Sequence, residues 1–147
     1  ALLATLNDEI AETARNGMFV TMVAGVFDPA SGEICLANAG HQPPLYRATD
    51  GSYREIEAEC PPLGVVAGID FVQQRLTLAG GRLFVFTDGV TEGKAGAGML
   101  GVAGLKTLLD RHAASGAEAQ LAAVSEALLG SAGGQRLHDD LTMLAIG

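Results

Sequence analysis

The order in which strand-like and helix-like apolar patterns follow one another constrains the fold more than any other feature of this sequence. Residues 2–15 place apolar side chains on one helical face, and short segments with a period of two then follow, separated by turn signals. Helical segments and a last apolar strand complete the chain. The predicted strands are residues 18–27, 33–39, 44–48, 53–57, 71–78, 82–87 and 141–146, and the predicted later helices are residues 102–113 and 116–129.

Short strands joined by tight turns pair antiparallel, so this order predicts the α+β class, with helices held apart from mostly antiparallel sheets. Residues 18–27 are apolar on both alternating faces, with Phe19 and Val23 on one face and Val20 and Met22 on the other. A strand of this kind is typically covered on both sides. We therefore expect stacked sheets with helices outside them.

The composition narrows the class of protein. With 147 residues, 48% of them apolar, the chain can bury the core of one domain. A formal net charge of −8 argues against nucleic acid or an anionic membrane as a partner, because both require clustered Lys and Arg. Cys35 and Cys60 lie outside any C-x-x-C pair, which favours reduced thiols in a cytoplasmic protein over a disulfide. The start at Ala1 predicts a fragment or a processed chain.

The tripeptide Thr87-Asp88-Gly89 ends a very apolar segment. A carboxylate at the end of a buried strand is held by a rigid scaffold yet faces a loop, and Gly89 lets the backbone turn sharply beside it. Asp88 is therefore a candidate functional carboxylate, with Gly89 supporting it. On these residues alone, the simpler interpretation that Asp-Gly only makes a turn stays open.

A second acidic segment, His138-Asp139-Asp140, directly precedes the last predicted strand. Adjacent carboxylates repel each other, and burying them without a cation is costly. A hard cation such as Mg²⁺ or Mn²⁺ takes oxygen ligands and removes that repulsion. The alternative is a pair of solvated loop acids with no ligand.

His41 follows the strand 33–39 in the segment Asn38-Ala39-Gly40-His41. Its imidazole is a candidate donor to an anionic substrate, and the alternative is that His41 only braces its loop. The sequence contains no H-E-x-x-H, no Walker loop and no G-x-S-x-G. It also lacks the D-x-D-G motif of haloacid dehalogenase phosphatases, because Phe86 stands two positions before Asp88.

Six segments occur in a fixed order: Phe19-Val20-Thr21-Met22, Gly32-Glu33, Asn38-Ala39-Gly40-His41 with Pro43-Pro44, Pro61-Pro62-Leu63-Gly64, Phe86-Thr87-Asp88-Gly89-Val90-Thr91-Glu92, and Asp139-Asp140-Leu141-Thr142. In order and spacing they resemble the SpoIIE-type branch of the protein phosphatase 2C-like (PPM) family. The resemblance runs from about residue 1 to residue 147. Each segment alone is weak evidence, but the ordered set is specific.

The resemblance implies a four-layer αββα sandwich and a pair of Mn²⁺ or Mg²⁺ ions between its sheets. Asp88 and Asp139 match the family's metal-binding catalytic aspartates, and Asp140 is a candidate that supports these ligands. In the implied chemistry, two cations lower the pKa of a bridging water and orient it for in-line attack on phosphorus. The implied substrate is a phosphoserine or phosphothreonine protein, often a STAS-type anti-sigma-factor antagonist in bacterial stress signalling.

The family also carries an earlier G-D-x-S-G-[HK]-G motif whose aspartate bridges both metals, and this chain lacks it. We therefore expect one truncated domain over residues 1–147, without its N-terminal strands and inactive alone. Its open sheet edge favours homodimers, and an upstream sensor or receiver domain is expected in the full-length protein. The alternative function is a catalytically silent interaction module with the same fold. Because such a module has no need of Asp88 and Asp139, the two aspartates favour the phosphatase.

Overall fold

The computed structural model describes residues 2–13, 17–96, 98–131 and 140–147. The elements in chain order are α1 (Leu2–Thr13), β1 (Met22–Asp28), β2 (Glu33–Ala39), β3 (Leu45–Arg47), β4 (Tyr53–Glu55), β5 (Gln74–Thr77), β6 (Arg82–Phe86), α2 (Asp88–Thr91), β7 (Lys94–Ala95), β8 (Gly98–Met99), α3 (Gly101–Arg111), α4 (Gly116–Ser131) and β9 (Met143–Ile146). A 3₁₀ turn, Ala113–Ser115, joins α3 to α4. The chain divides into two compact units, Ala1–Pro44 with Arg54–Ala79, and Leu45–Tyr53 with Gly80–Gly147.

The first unit is built on an antiparallel sheet with the strand order β1-β2-β5. β1 and β2 pair without interruption from Met22–Ala39 to Asp28–Glu33, because the tight turn between them closes the hairpin. Helix α1 packs its apolar face against this sheet. The buried members of the resulting core are Leu3, Ala37, Ala39 and Leu63.

β1 is the edge strand of this sheet, and the prediction that residues 18–27 are covered on both faces is wrong for the described chain. Val26 is 74% exposed, and Phe19 and Phe27 are also exposed. Alternation of apolar residues identifies a strand but does not give its position in the sheet, and β1 pairs with β2 alone. Met22 and Ala24 pack against the core of this unit, whereas Val26 and Phe27, further along the edge strand, are exposed.

The second unit is built on the sheet with the order β4-β3-β6-β9. β6 lies inside it, pairing antiparallel with β3 and with β9. Helices α3 and α4 pack on the sheet, so the side chains of β6 contact apolar side chains from both the sheet and the helices. The buried core consists of Leu45, Phe84, Phe86, Val90, Leu105, Leu109, Val124 and Leu128.

The predicted α+β class with antiparallel sheets is confirmed. The predicted strand 33–39 matches β2, and the other predicted strands and the later helices are found with shifted ends. The predicted helix 2–15 is found as α1, and its last two residues lie outside the described residues. The sequence did not predict α2 or the small β7–β8 hairpin. Across the described ranges, no helix combines the length and apolar character needed to cross a membrane.

Candidate active site

The end of β6 positions Asp88. Phe84 and Phe86 anchor the strand in the core, and the chain leaves the sheet at Thr87 in an extended conformation before α2 begins. Val90 is fully buried, so the short helix is fixed to the core on its inner side. The side chain of Asp88 stays exposed, as expected for a residue at a strand end. A rigid backbone thus presents a carboxylate to solvent.

Gly89 supports this carboxylate directly. The backbone N–H of Gly89 donates a hydrogen bond to Asp88 Oδ1 at 3.0 Å. The backbone of Asp88 is held in turn, because the N–H of Glu92 donates to its carbonyl at 2.8 Å. The orientation of the Asp88 carboxylate is therefore set by the backbone that follows it.

Thr87 joins this strand end to the segment before β9. Its hydroxyl Oγ1 donates to the carbonyl of Asp140 at 2.9 Å and accepts the N–H of Thr142 at 3.1 Å. The N–H of Thr87 also donates to the carbonyl of Thr142 at 3.1 Å. These bonds continue the β6–β9 pairing by one step beyond its last register pair, Phe86 with Met143. Two segments separated by more than fifty residues are thereby brought side by side.

The predicted residues divide between the two units. Asp88, Gly89 and Asp140 lie in the second unit, and the Thr87 hydrogen bonds bring the backbones of their segments together. Asp139 lies outside the described residues. His41 lies in the first unit, at the end of β2.

The His41 loop is held by a buried asparagine. Asn38 is only 2% exposed, and its amide donates to the carbonyls of His41 and Ile56 at 3.1 Å each. Its Oδ1 accepts the N–H of His41 at 2.8 Å. Gly40 has a φ of 64°, and a Cβ there would collide with the Pro62 ring, so only glycine suits the position. Asn38, Gly40 and Pro62 therefore fix the backbone that carries His41.

The most perturbed titratable group of the described chain lies away from Asp88. Burial, together with a 3.0 Å hydrogen bond to Asp110, raises the pKa of Tyr53 to about 12. Arg47 pairs with the same carboxylate at 2.7 Å, and this bond raises the pKa of Arg47 above its ordinary value. This cluster ties the β3–β4 hairpin to α3 and serves as a structural junction.

The chemistry of the Asp88 segment fits a hard cation. An exposed carboxylate on a rigid strand end supplies the oxygen ligand that Mg²⁺ and Mn²⁺ prefer. Among residues 2–13, 17–96, 98–131 and 140–147, no group of three or more His, Cys, Asp or Glu side chains converges. Asp88 therefore fits as one member of a ligand set, not as part of a complete cage.

Sequence reasoning gave no role to Thr87 or Asn38, although both lie inside the motifs it singled out. Each places a polar side chain at the end of a largely buried strand, which is the signal that could have identified them. Their partners could not be identified in this way, because side-chain bonds to a distant backbone leave no pattern in the sequence.

Comparisons with known proteins bear on the family and the fold of the chain. The family described as Stage II sporulation protein E (SpoIIE) matches residues 1–147. Phosphoserine phosphatase RsbU of Bacillus subtilis (strain 168) is 30% identical over 147 residues, covering 99% of this chain and 44% of that protein. This chain thus spans less than half the length of that curated relative.

Two solved structures extend the comparison. The structure of the RsbU and RsbW domains of Rv1364c from Mycobacterium tuberculosis matches 94% of this chain and 38% of that one, at 28% identity and a TM-score of 0.65. The phosphatase domain of SpoIIE from Bacillus subtilis matches 98% of this chain and 63% of that one, at 18% identity and a TM-score of 0.70. The second likeness confirms that the fold is that of the PP2C-like phosphatase domains.

Proposed function

The chain belongs to the Stage II sporulation protein E (SpoIIE) family, and we propose that it forms one domain of a metal-dependent bacterial protein-serine/threonine phosphatase. The observation that carries the proposal is the pairing of the Thr87-Asp88-Gly89 segment with the segment that begins at Asp140. The Thr87-Asp88-Gly89 segment and the residues from Asp140 onward then lie at the same end of two paired strands. A module that only bound other proteins would not need a carboxylate held at this position.

In the proposed site, Asp88 and Asp139 bind the cations. Gly89 orients Asp88 through its N–H bond, and Asp140 supports the second segment through its carbonyl. When bound, a pair of Mn²⁺ or Mg²⁺ ions would supply Lewis acidity and activate a water for attack on phosphorus. Asp88 would keep its place as a ligand because β6 and α2 fix its backbone on both sides.

We propose a separate role for His41 in binding the phosphorylated substrate. The buried Asn38 holds the backbone of His41 at two points, which leaves the imidazole as the adjustable part of the residue. An imidazole N–H is a suitable donor to a phosphate oxygen. His41 would therefore affect substrate affinity and not cation affinity.

The names of the similar proteins support a proposal about the substrate. One relative is named a phosphoserine phosphatase, and one solved structure joins an RsbU domain to an RsbW domain. We propose that the substrate is a phosphoserine or phosphothreonine protein, an anti-sigma-factor antagonist, and that the protein works in the cytoplasm. An upstream sensor or receiver domain in the full-length protein would control its activity.

Hydrolysis of a phosphoserine peptide by the full-length protein, measured across a Mn²⁺ titration, tests the proposal. Asp88→Asn and Asp139→Asn should each reduce kcat/KM by roughly 100-fold or more, because Asn keeps the shape but removes the charge that binds a hard cation. Asp28→Asn is the matched control, since Asp28 is an exposed residue whose carboxylate bonds only its own turn. Activity in the Asp88→Asn variant equal to that of the control would contradict the proposal.

A further inference from the structure

The bonding of the Thr87 hydroxyl is unusual for its position. A threonine just before a helix ordinarily turns its hydroxyl toward the free N–H groups of the first helical turn. Thr87 occupies that position before α2, but its side chain makes no such bond. The hydroxyl instead forms hydrogen bonds with the segment before β9. Capping of α2 therefore does not explain this side chain.

A hydroxyl is the smallest group that can make both bonds at once. Oγ1 of Thr87 donates to the carbonyl of Asp140 and at the same time accepts the N–H of Thr142. Valine has nearly the same shape but offers neither. Serine offers both without the methyl group. The contact thus depends on the hydroxyl itself, and side-chain volume alone cannot reproduce it.

The Thr87 hydroxyl bonds lie directly beside the acidic residues of the candidate site. The register pairing of β6 with β9 ends at Phe86 and Met143, and beyond it one backbone bond, from the N–H of Thr87 to the carbonyl of Thr142, acts together with the two hydroxyl bonds. On the β6 side, the next residue after Thr87 is Asp88. On the β9 side, the residue held is Asp140, which follows Asp139 directly in the sequence. Loss of the hydroxyl bonds would leave the backbone bond between Thr87 and Thr142 in place but would loosen the segment at Asp140.

We propose that Thr87 is a positioning residue: its hydroxyl holds the 140–142 segment against the end of β6, so that the acidic residues of the two segments bind cations together. The claim that the acidic residues bind cations together rests on the proposed function. The claim that the hydroxyl holds the backbone of residues 140–142 does not, and it can be measured without any metal. Loss of the hydrogen bonds that orient metal ligands typically weakens metal affinity by about 10- to 100-fold.

The experiment uses the full-length protein with Thr87→Val, which removes the hydroxyl, and Thr87→Ser, which keeps it. Thr107→Val is the matched control, because the exposed Thr107 makes one hydroxyl bond within α3. Hydrogen exchange of residues 140–147 within the full-length protein, resolved to the Thr142 amide, is measured in metal-free buffer. Mn²⁺ binding is measured by calorimetry. Thr87→Val should speed exchange at the Thr142 amide about fivefold to tenfold and weaken Mn²⁺ binding roughly tenfold.

The outcomes distinguish the positioning role of Thr87 from the proposed function. Recovery of both quantities in Thr87→Ser, with no change in Thr107→Val, supports the positioning role. Unchanged exchange in Thr87→Val overturns it, as does faster exchange with Mn²⁺ affinity within twofold of the unsubstituted protein. If the unsubstituted protein binds no Mn²⁺, the proposed function fails, and the exchange result alone then decides whether Thr87 holds the segment.

Discussion

The ends of β2 and β6 both carry a polar side chain that bonds to the backbone beyond the strand, but the two side chains reach different partners. Asn38 at the end of β2 is buried and bonds to His41, three residues further on, and to Ile56. Thr87 at the end of β6 is half-buried and bonds to a segment more than fifty residues away. The first side chain stabilises a loop, and the second joins two acidic segments.

The difference in burial predicts that Asn38 contributes mainly to stability and Thr87 mainly to the geometry of the site. A fully buried polar group must keep its hydrogen bonds, because an unsatisfied partner costs free energy of unfolding. When a half-buried group is removed, water can replace it as a hydrogen-bond partner at a smaller cost in free energy. Its contribution is therefore mainly to the geometry of the segments that it joins. Substitutions at the two strand ends should therefore affect different measurements.

Asn38→Leu should have the largest effect on folding. The substitution keeps the approximate volume but leaves the N–H and carbonyl of His41 and the carbonyl of Ile56 without their partner. We expect the free energy of unfolding to fall by about 2–3 kcal/mol in a urea titration. Asn38→Asp keeps the acceptor for the N–H of His41 but buries a carboxylate against the carbonyls of His41 and Ile56, so it should be at least as destabilising. A loss well below about 1 kcal/mol in Asn38→Leu would mean that volume, and not hydrogen bonding, decides the role of Asn38.

His41→Ala should act on substrate binding while leaving the loop in place, because Asn38 bonds the backbone of His41 and not its imidazole. We expect KM for a phosphoserine peptide to rise roughly tenfold, as for the loss of one hydrogen bond to a charged group. The Mn²⁺ concentration needed for half-maximal activity should not change. A shift in that Mn²⁺ concentration would show that His41 acts on the cation site.

Thr87→Val should cost about 1 kcal/mol in free energy of unfolding, less than Asn38→Leu. Its hydroxyl bonds join half-buried and exposed residues, so water can replace much of what is lost. The same urea titration compares the two variants directly. A loss as large as that of Asn38→Leu would remove the contrast between the two strand ends.

Tyr53 provides a reference junction with no proposed role in catalysis, and its substitution should have the smallest effect on activity. Burial and the hydrogen bond to Asp110 raise its pKa from about 10 to about 12. The folded protein thus holds the phenol proton more tightly, so this stabilisation is complete below pH 10 and is lost as the pH rises toward 12. Melting temperatures should show a loss over this range that Tyr53→Phe lacks, whereas activity at neutral pH stays unchanged.

The sequence predicted the elements that carry strong periodicity. The strand 33–39 was predicted with its observed ends, because turn residues precede it and Gly40 follows it. Helix α2 was missed because four residues are too few to show a helical period. The exposure of β1 was missed because alternation does not report whether a strand lies inside a sheet or at its edge.

The site was predicted to the level of residue type and strand end, and no further. The position of Asp88 after a buried strand follows from the apolar run before it. That the Thr87 hydroxyl reaches Asp140 and Thr142 depends on the pairing of β6 with β9, which forms only when the chain has folded. The roles of Asp88, Asp139 and His41 stay predictions that only solution measurements can test.

Direct Mn²⁺ binding to the full-length protein, measured by calorimetry without substrate, tests the central claim that the end of β6 and the segment before β9 make one cation site. The unsubstituted protein and Asp28→Asn should bind Mn²⁺ with the same affinity. Asp88→Asn should bind at least roughly 100-fold more weakly while keeping its melting temperature, because the exposed side chain can still accept the Gly89 N–H. Equal binding in Asp88→Asn and Asp28→Asn would contradict the claim.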